Sequence, residues 1–129
     1  MRSISFFGLN EAIKIHCGIE LDRIEKSSTF ALNILRILKN LIKEQNELDN
    51  KYYNLSQPHN DIFLTNRYSS KIIRDDSKLS IEQKIKLFKK FGDVIDGGVF
   101  FKAGLDKSHD DFYDNLQLIM NSKVQAFSI

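Results

Sequence analysis

One row of apolar residues constrains this chain more than any other feature. Phe30, Ile34, Ile37, Leu41, Leu48, Tyr52 and Leu55 recur at three- and four-residue steps, with Glu44 interrupting the row. At about 100° per residue they share one narrow stripe of a helix. Ala31, Leu35, Leu38 and Ile42 widen the stripe in its first half, while Lys39, Lys43, Asn46, Glu47, Asn50 and Asn54 lie away from it. Ser28 or Thr29 can cap the start, and Pro58 ends the pattern. The spacing predicts a helix over 29–55, about 40 Å long.

The stretch before it reads two ways. Leu9, Ile13, Cys17, Leu21 and Ile24 fit one helical face, with Asn10 available as a cap. Ile13, Ile15, Cys17, Ile19 and Leu21 also alternate with polar residues, which is the period of a half-buried strand. The charged run from Leu21 to Lys26 favours the helix over a hairpin with Ser3–Phe7. Beyond the loop at 56–60, Leu64, Tyr68 and Ile72 step by four and predict a short helix over 61–74. Ser80 and Gln83 form a capping-box signature ahead of Ile81, Ile85, Phe88 and Phe91, with Gly92 placed to end that helix. After Gly97-Gly98, the run Val99-Phe100-Phe101 begins either a short helix or an extended piece. Ser108 and Asp111 repeat the capping signature before Phe112, Leu116, Ile119 and Met120, and the tail 124–129 suits an extended segment docked on the core. The expected fold is mainly α: a compact bundle of four or five helices around one long central helix, with a small β element from the termini. No repeat or linker divides the chain, so 1–129 is expected to be one domain.

Composition narrows the function classes. In 129 residues the formal net charge is only +2, too little to imply nucleic acid by itself. Residues 71–90 nevertheless carry seven basic side chains against three acidic, and 93–114 carry six aspartates against two lysines. Such a split can steer a partner. No apolar run approaches the roughly 20 residues of a membrane span. Cys17 is the only cysteine and cannot form an internal disulfide, which makes the cytoplasm the expected setting.

No motif carries recognisable chemistry. His16, His59 and His109 lack the i, i+4 spacing that sets two imidazoles on one helix face. Asp106, Asp110, Asp111 and Asp114 lack the glycine turn and closing glutamate of a calcium loop, and suit a helix start instead. Cys17 beside His16 cannot make a nucleophile–base pair, since neighbouring side chains diverge, and is expected to be buried. Gly97-Gly98 lacks phosphate-loop spacing. No catalytic residue, metal or cofactor is therefore assigned. The expected function is a non-enzymatic protein-binding module, of the inhibitor, immunity, adaptor or assembly-subunit kind. Tyr52, Tyr53, Phe100 and Phe101 are its candidate anchors, and another protein or a second copy is its partner. The alternative is a nucleic-acid-binding regulator using Lys84, Lys86, Lys89 and Lys90 on the helix 80–91.

Overall fold

A computed structural model describes residues 2–23, 25–58 and 70–129. The long helix forms, but it runs over Glu25–Asp49 (α2), so it starts earlier and ends sooner than expected. Asn50, at φ 50°, turns the chain out of it. Tyr53–Ser56 is a strand (β2). The backbone of Tyr53 is held by the Asn46 side chain, which donates from Nδ2 to Tyr53 O (2.9 Å) and accepts from Tyr53 N at Oδ1 (2.7 Å). That clamp folds β2 back along α2.

The remaining elements are β1 (Arg2–Ser5), α1 (Leu9–Cys17), α3 (Ile81–Gly92), β3 (Phe100–Lys102), α4 (Phe112–Asn121) and β4 (Ala126–Ser128). The ambiguous early stretch is the helix α1. It opens and closes on left-handed glycines, Gly8 (φ 76°) and Gly18 (φ 70°). Asn10 sits inside α1, where its side chain accepts from Leu21 N at 3.1 Å. The capping box at α3 forms as expected, with Gln83 N donating to Ser80 Oγ and Ser80 N donating to Gln83 Oε1. The second signature does not become a box, because the Ser108 hydroxyl bonds Asp106 Oδ1 at 2.7 Å. The helix expected over 61–74 falls largely outside the described residues, and 70–74 are bend and coil.

The expected helical bundle is overturned by the strands. β1 pairs with β2 and β3 with β4, both parallel. Both terminal segments are strands, yet each pairs with an internal strand instead of with the other terminus. Hydrogen-bond phase fixes how the two pairs sit. Arg2 N donates to Tyr52 O, so the even-numbered backbone groups of β2 face β1. The odd-numbered groups face the 96–98 segment: Gly97 N donates to Leu55 O (2.7 Å), Gln57 N to Gly98 O (3.0 Å) and Leu55 N to Asp96 Oδ1 (3.1 Å). These partners advance in one direction along both segments. The two two-stranded sheets therefore lie side by side in chain order with their strands running one way, joined through the 96–98 segment and not by strand pairing between β2 and β3.

Helix α2 touches β2, α1 and α3, and α3 touches β3 and α4. Between the helices and the strands lie Ala31, Leu35, Leu55, Ile85, Phe88, Phe91 and Phe101. Phe88 and Phe101 stack with centroids 4.8 Å apart. The architecture is α/β, with helix stripes covering one sheet face.

Candidate interaction surface

Of the apolar row that announced α2, Leu55 is core and Ile34 packs against it, but Phe30, Ile37, Leu41 and Leu48 do not point into this core. The buried face of α2 carries Ala31, Leu32, Leu35 and Ile42, with Ser27 and Ser28. Phe30, Ile37, Leu41 and Leu48 lie about 130° round the helix from it. Ile37 is 60%, Leu41 55% and Leu48 80% exposed. Thus α2 has two apolar faces, one covered by the sheet and one open. On the other side of α3, α4 exposes Tyr113 and Met120.

The sheet has matching open ends. Since Arg2 and Ile4 turn their backbone groups toward β2, alternation directs those of Ser3 and Ser5 to the outer edge of β1. At the far side Ala103 N donates to Ser128 O at 2.7 Å, and by the same alternation the backbone of Phe127 faces outward from β4. Among the described residues, no strand pairs with either outer edge. Beside β1, Ile4, Phe6, Leu38, Leu41, Ile42 and Leu55 line a groove of about 370 Å³ (Ser5 and Gln45 complete its wall). The sheet face away from α2 is polar. Ser3 Oγ donates to Asn54 Oδ1 (2.8 Å), and Ser5 Oγ and Ser56 Oγ lie 3.1 Å apart.

Between β2 and β3 a side chain does the work of a strand. Gln57 is 1% exposed. Its Oε1 accepts from Phe100 N at 3.1 Å, and its Nε2 donates to Ser70 O at 3.1 Å. It joins the sheet where the two strand pairs would otherwise part. Sequence reasoning missed this residue, which looked like part of a loop before Pro58.

The four expected aromatic anchors are dispersed. Tyr52 is exposed at the end of α2, Tyr53 is half-buried in β2, Phe100 is half-buried against the seam, and Phe101 is core. The four lysines also separate. Lys86, Lys89 and Lys90 share one side of α3, and Lys90 pairs with Glu25 at 3.4 Å. Lys84 points the opposite way, is 5% exposed, and donates to Lys102 O (3.3 Å) and Ala103 O (3.1 Å). Burial holds its pKa below the usual 10.5, with Asp75 partly offsetting. A lysine whose folded pKa is depressed binds fewer protons in the native than in the unfolded state between the two values. Stability then rises with pH through that window. Measured by urea unfolding at several pH values up to 10.5, the wild type should gain stability relative to Lys84→Met. Parallel curves, or an opposite slope, would contradict this account of Lys84.

The histidines and aspartates do not gather. His16 is exposed and edge-on to Phe30 (5.7 Å), and Cys17 is exposed instead of buried. His59 lies outside the described residues. Asp106 has its pKa lowered by the backbone and then the hydroxyl hydrogen bond of Ser108. Among the described residues, no group of three His, Cys, Asp or Glu could hold a metal ion, and no helix is long and apolar enough to cross a membrane. Glu11 Oε2 is buried with no hydrogen-bond partner among the described residues.

Two small parallel sheets and the helices packed against them define an α/β fold. Comparison with solved structures agrees on that fold. An anaerobic ribonucleotide reductase superposes on 98% of this chain with a TM-score of 0.75 at 15% identity. The matched region is 25% of that protein, so the chain spans about a quarter of the length of the structure it resembles. No protein-family model matches the chain, and no curated protein matches it significantly.

Proposed function

We propose that this chain is a wall segment of a larger α/β protein of the anaerobic ribonucleotide reductase type, and that it works by binding further polypeptide along its two unfinished edges. The observation that carries the reading is the side-by-side setting of the two parallel strand pairs, with no strand on either outer edge among the described residues. Right-handed crossovers between strands set in chain order return every helix to one side. A sheet wound this way curls toward a barrel, with more strands on either side. Two-stranded parallel units are also poor independent structures, because parallel sheets are stable when both faces are covered.

Three further features fit. The open stripe of α2 and the exposed Tyr113 and Met120 of α4 lie on either side of α3, where further helices would pack. The hydroxyls and amides of Ser3, Ser5, Asn54 and Ser56 suit an enclosed polar interior. The buried Glu11 oxygen awaits a donor that added chain could bring. In this reading the chain is an assembly subunit or segment, not an inhibitor or adaptor. Any ribonucleotide chemistry belongs to the completed protein, and the segment alone is inactive. The lone exposed thiol of Cys17 fits a reducing, cytoplasmic setting. The test is amide hydrogen exchange of the chain alone and within the particle isolated from its host. Outer-edge amides should gain protection on assembly, and unchanged exchange would defeat the proposal.

A further inference from the structure

We infer that this chain binds a second copy of itself head to tail, the Tyr113 end of α4 in one copy entering the basic-walled cavity between the start of α2 and α3 in the next. The inference takes the exposed end of α4 that the wall-segment reading leaves open and gives it a partner. The sheet edges and the α2 stripe play no part in it.

The charge split along the sequence is the starting point. Two segments of opposite sign in one chain either neutralise each other or face outward. Here they face outward. The cations of 71–90 that form ion pairs do so with Glu20, Glu25, Asp75 and Asp76. Among the described residues, no ion pair joins 71–90 to the aspartates of 93–114. Asp106, Asp110, Asp111 and Asp114 are all exposed, against one lysine and one histidine in the same stretch. Asp106 and Asp111 accept hydrogen bonds locally, from Ser108 and Asn115.

The receiving cavity has the opposite sign. It encloses about 200 Å³, room for one aromatic ring. Leu21, Leu79 and Leu87 give it an apolar lining, and Arg23, Lys86 and Lys90 bring three cations to its wall. Its two carboxylates are already engaged. Asp22 accepts from the Ser77 hydroxyl, and Glu25 pairs with Lys90 at 3.4 Å. Lys86 is exposed and has no ion pair among the described residues.

Leucines behind an unpaired ammonium suit an aromatic ring set among carboxylates, and Tyr113 is such a ring. It is 78% exposed, stands between Asp110 and Asp114 in the sequence, and is held edge-on to Phe112 with centroids 5.3 Å apart. A tyrosine seated in a desolvated pocket anchors an interface, while charges at its rim steer the encounter. Nucleic acid would satisfy the lysines and leave the leucine lining bare. Because anchor and cavity are different patches, the contact is heterologous and joins copies in an open row, not in a closed two-fold pair.

Sedimentation of the full chain tests this. At low salt the mean mass should climb past that of a dimer as concentration rises, and high salt should return it toward the monomer. Tyr113→Ala should weaken association by about thirtyfold and Lys86→Glu by about tenfold. Both side chains are exposed, so circular dichroism should stay native. Mixing decides the pairing. Tyr113→Ala keeps the cavity and Lys86→Glu keeps the anchor. At a concentration where each alone is monomeric, their equal mixture should form a species of two chains and none larger. A wild type that stays monomeric, or a mixture that does, would overturn the inference. Association undiminished by Tyr113→Ala would come from other surfaces, such as the sheet edges, and would overturn it while leaving the wall-segment reading standing. Retention of random RNA by a wild type that never self-associates would assign the lysines to nucleic acid instead.

Discussion

Replacing Gln57 with leucine is expected to lower the unfolding free energy by about 4 kcal/mol. Leucine fills comparable space but removes the acceptor for Phe100 N and the donor to Ser70 O in a site that is 1% exposed. Each buried hydrogen bond lost in this way costs about 1–3 kcal/mol, because water cannot enter to replace it. Gln57→Glu should do no better. It keeps an acceptor for Phe100 but puts a carboxylate where the Ser70 carbonyl needs a donor, and burying charge is costlier than burying an amide. Chemical unfolding checks both, and a loss below about 1 kcal/mol for leucine would show that the seam is held by its backbone contacts alone.

Gly97→Ala should cost about 3 kcal/mol, the upper end of what overpacking imposes. A Cβ there would lie 2.7 Å from both Leu55 O and Ser56 Cβ and 3.0 Å from Asn54 Cγ. Two of those contacts are on or next to the β2 backbone, which cannot swing aside as a flexible side chain would. The same close approach lets Gly97 N donate to Leu55 O at 2.7 Å. Relief would require the 96–98 segment to draw away from β2, so the melting temperature should fall by roughly 10 °C. Gly92→Ala is the control. Its added Cβ meets nothing closer than 3.6 Å, and its effect should be small.

Both residues sit at the seam, and the seam is where the sequence was hardest to interpret. Local signals served well for the elements that local interactions decide. Ser80 and Gln83 marked α3 because a capping box lies within four residues, and the α2 periodicity was unmistakable because it repeats over many turns. The four-residue β2 was hidden inside that periodicity. Tyr52 and Leu55 continue the three–four row, and nothing local says that Asn46 will reach over and clamp Tyr53. Parallel pairing joins residues about fifty positions apart, as Arg2 with Tyr53, and such long-range register leaves no short-range mark. Gln57 shares that invisibility, since its role exists only once β2 and β3 are side by side.

The α2 stripe teaches a different lesson. Periodicity showed correctly that Phe30, Ile37, Leu41 and Leu48 share a face. Sharing a face does not decide what covers it, because a helix can carry a second apolar face beside the one its own sheet buries. The widening residues Ala31, Leu35 and Ile42 are the ones this sheet buries. The same consideration explains the dispersal of Tyr52, Tyr53, Phe100 and Phe101. The sheet absorbs Phe101 against Phe88 and leaves the exposed apolar groups on α2 and α4.

The central claim is that the sheet is unfinished at both sides and is completed by other polypeptide. Residue-resolved amide exchange tests this most directly. In the chain alone, Ser3, Ser5 and Phe127 should exchange fast while Ile4, turned toward β2, is slower. In the particle isolated from the host, the three outer-edge amides should slow by about a hundredfold and the inner one should change little. Equal exchange at Ser3, Ser5 and Phe127 in both samples would mean that these edges stay open to water, and the chain would have to be understood as a finished domain.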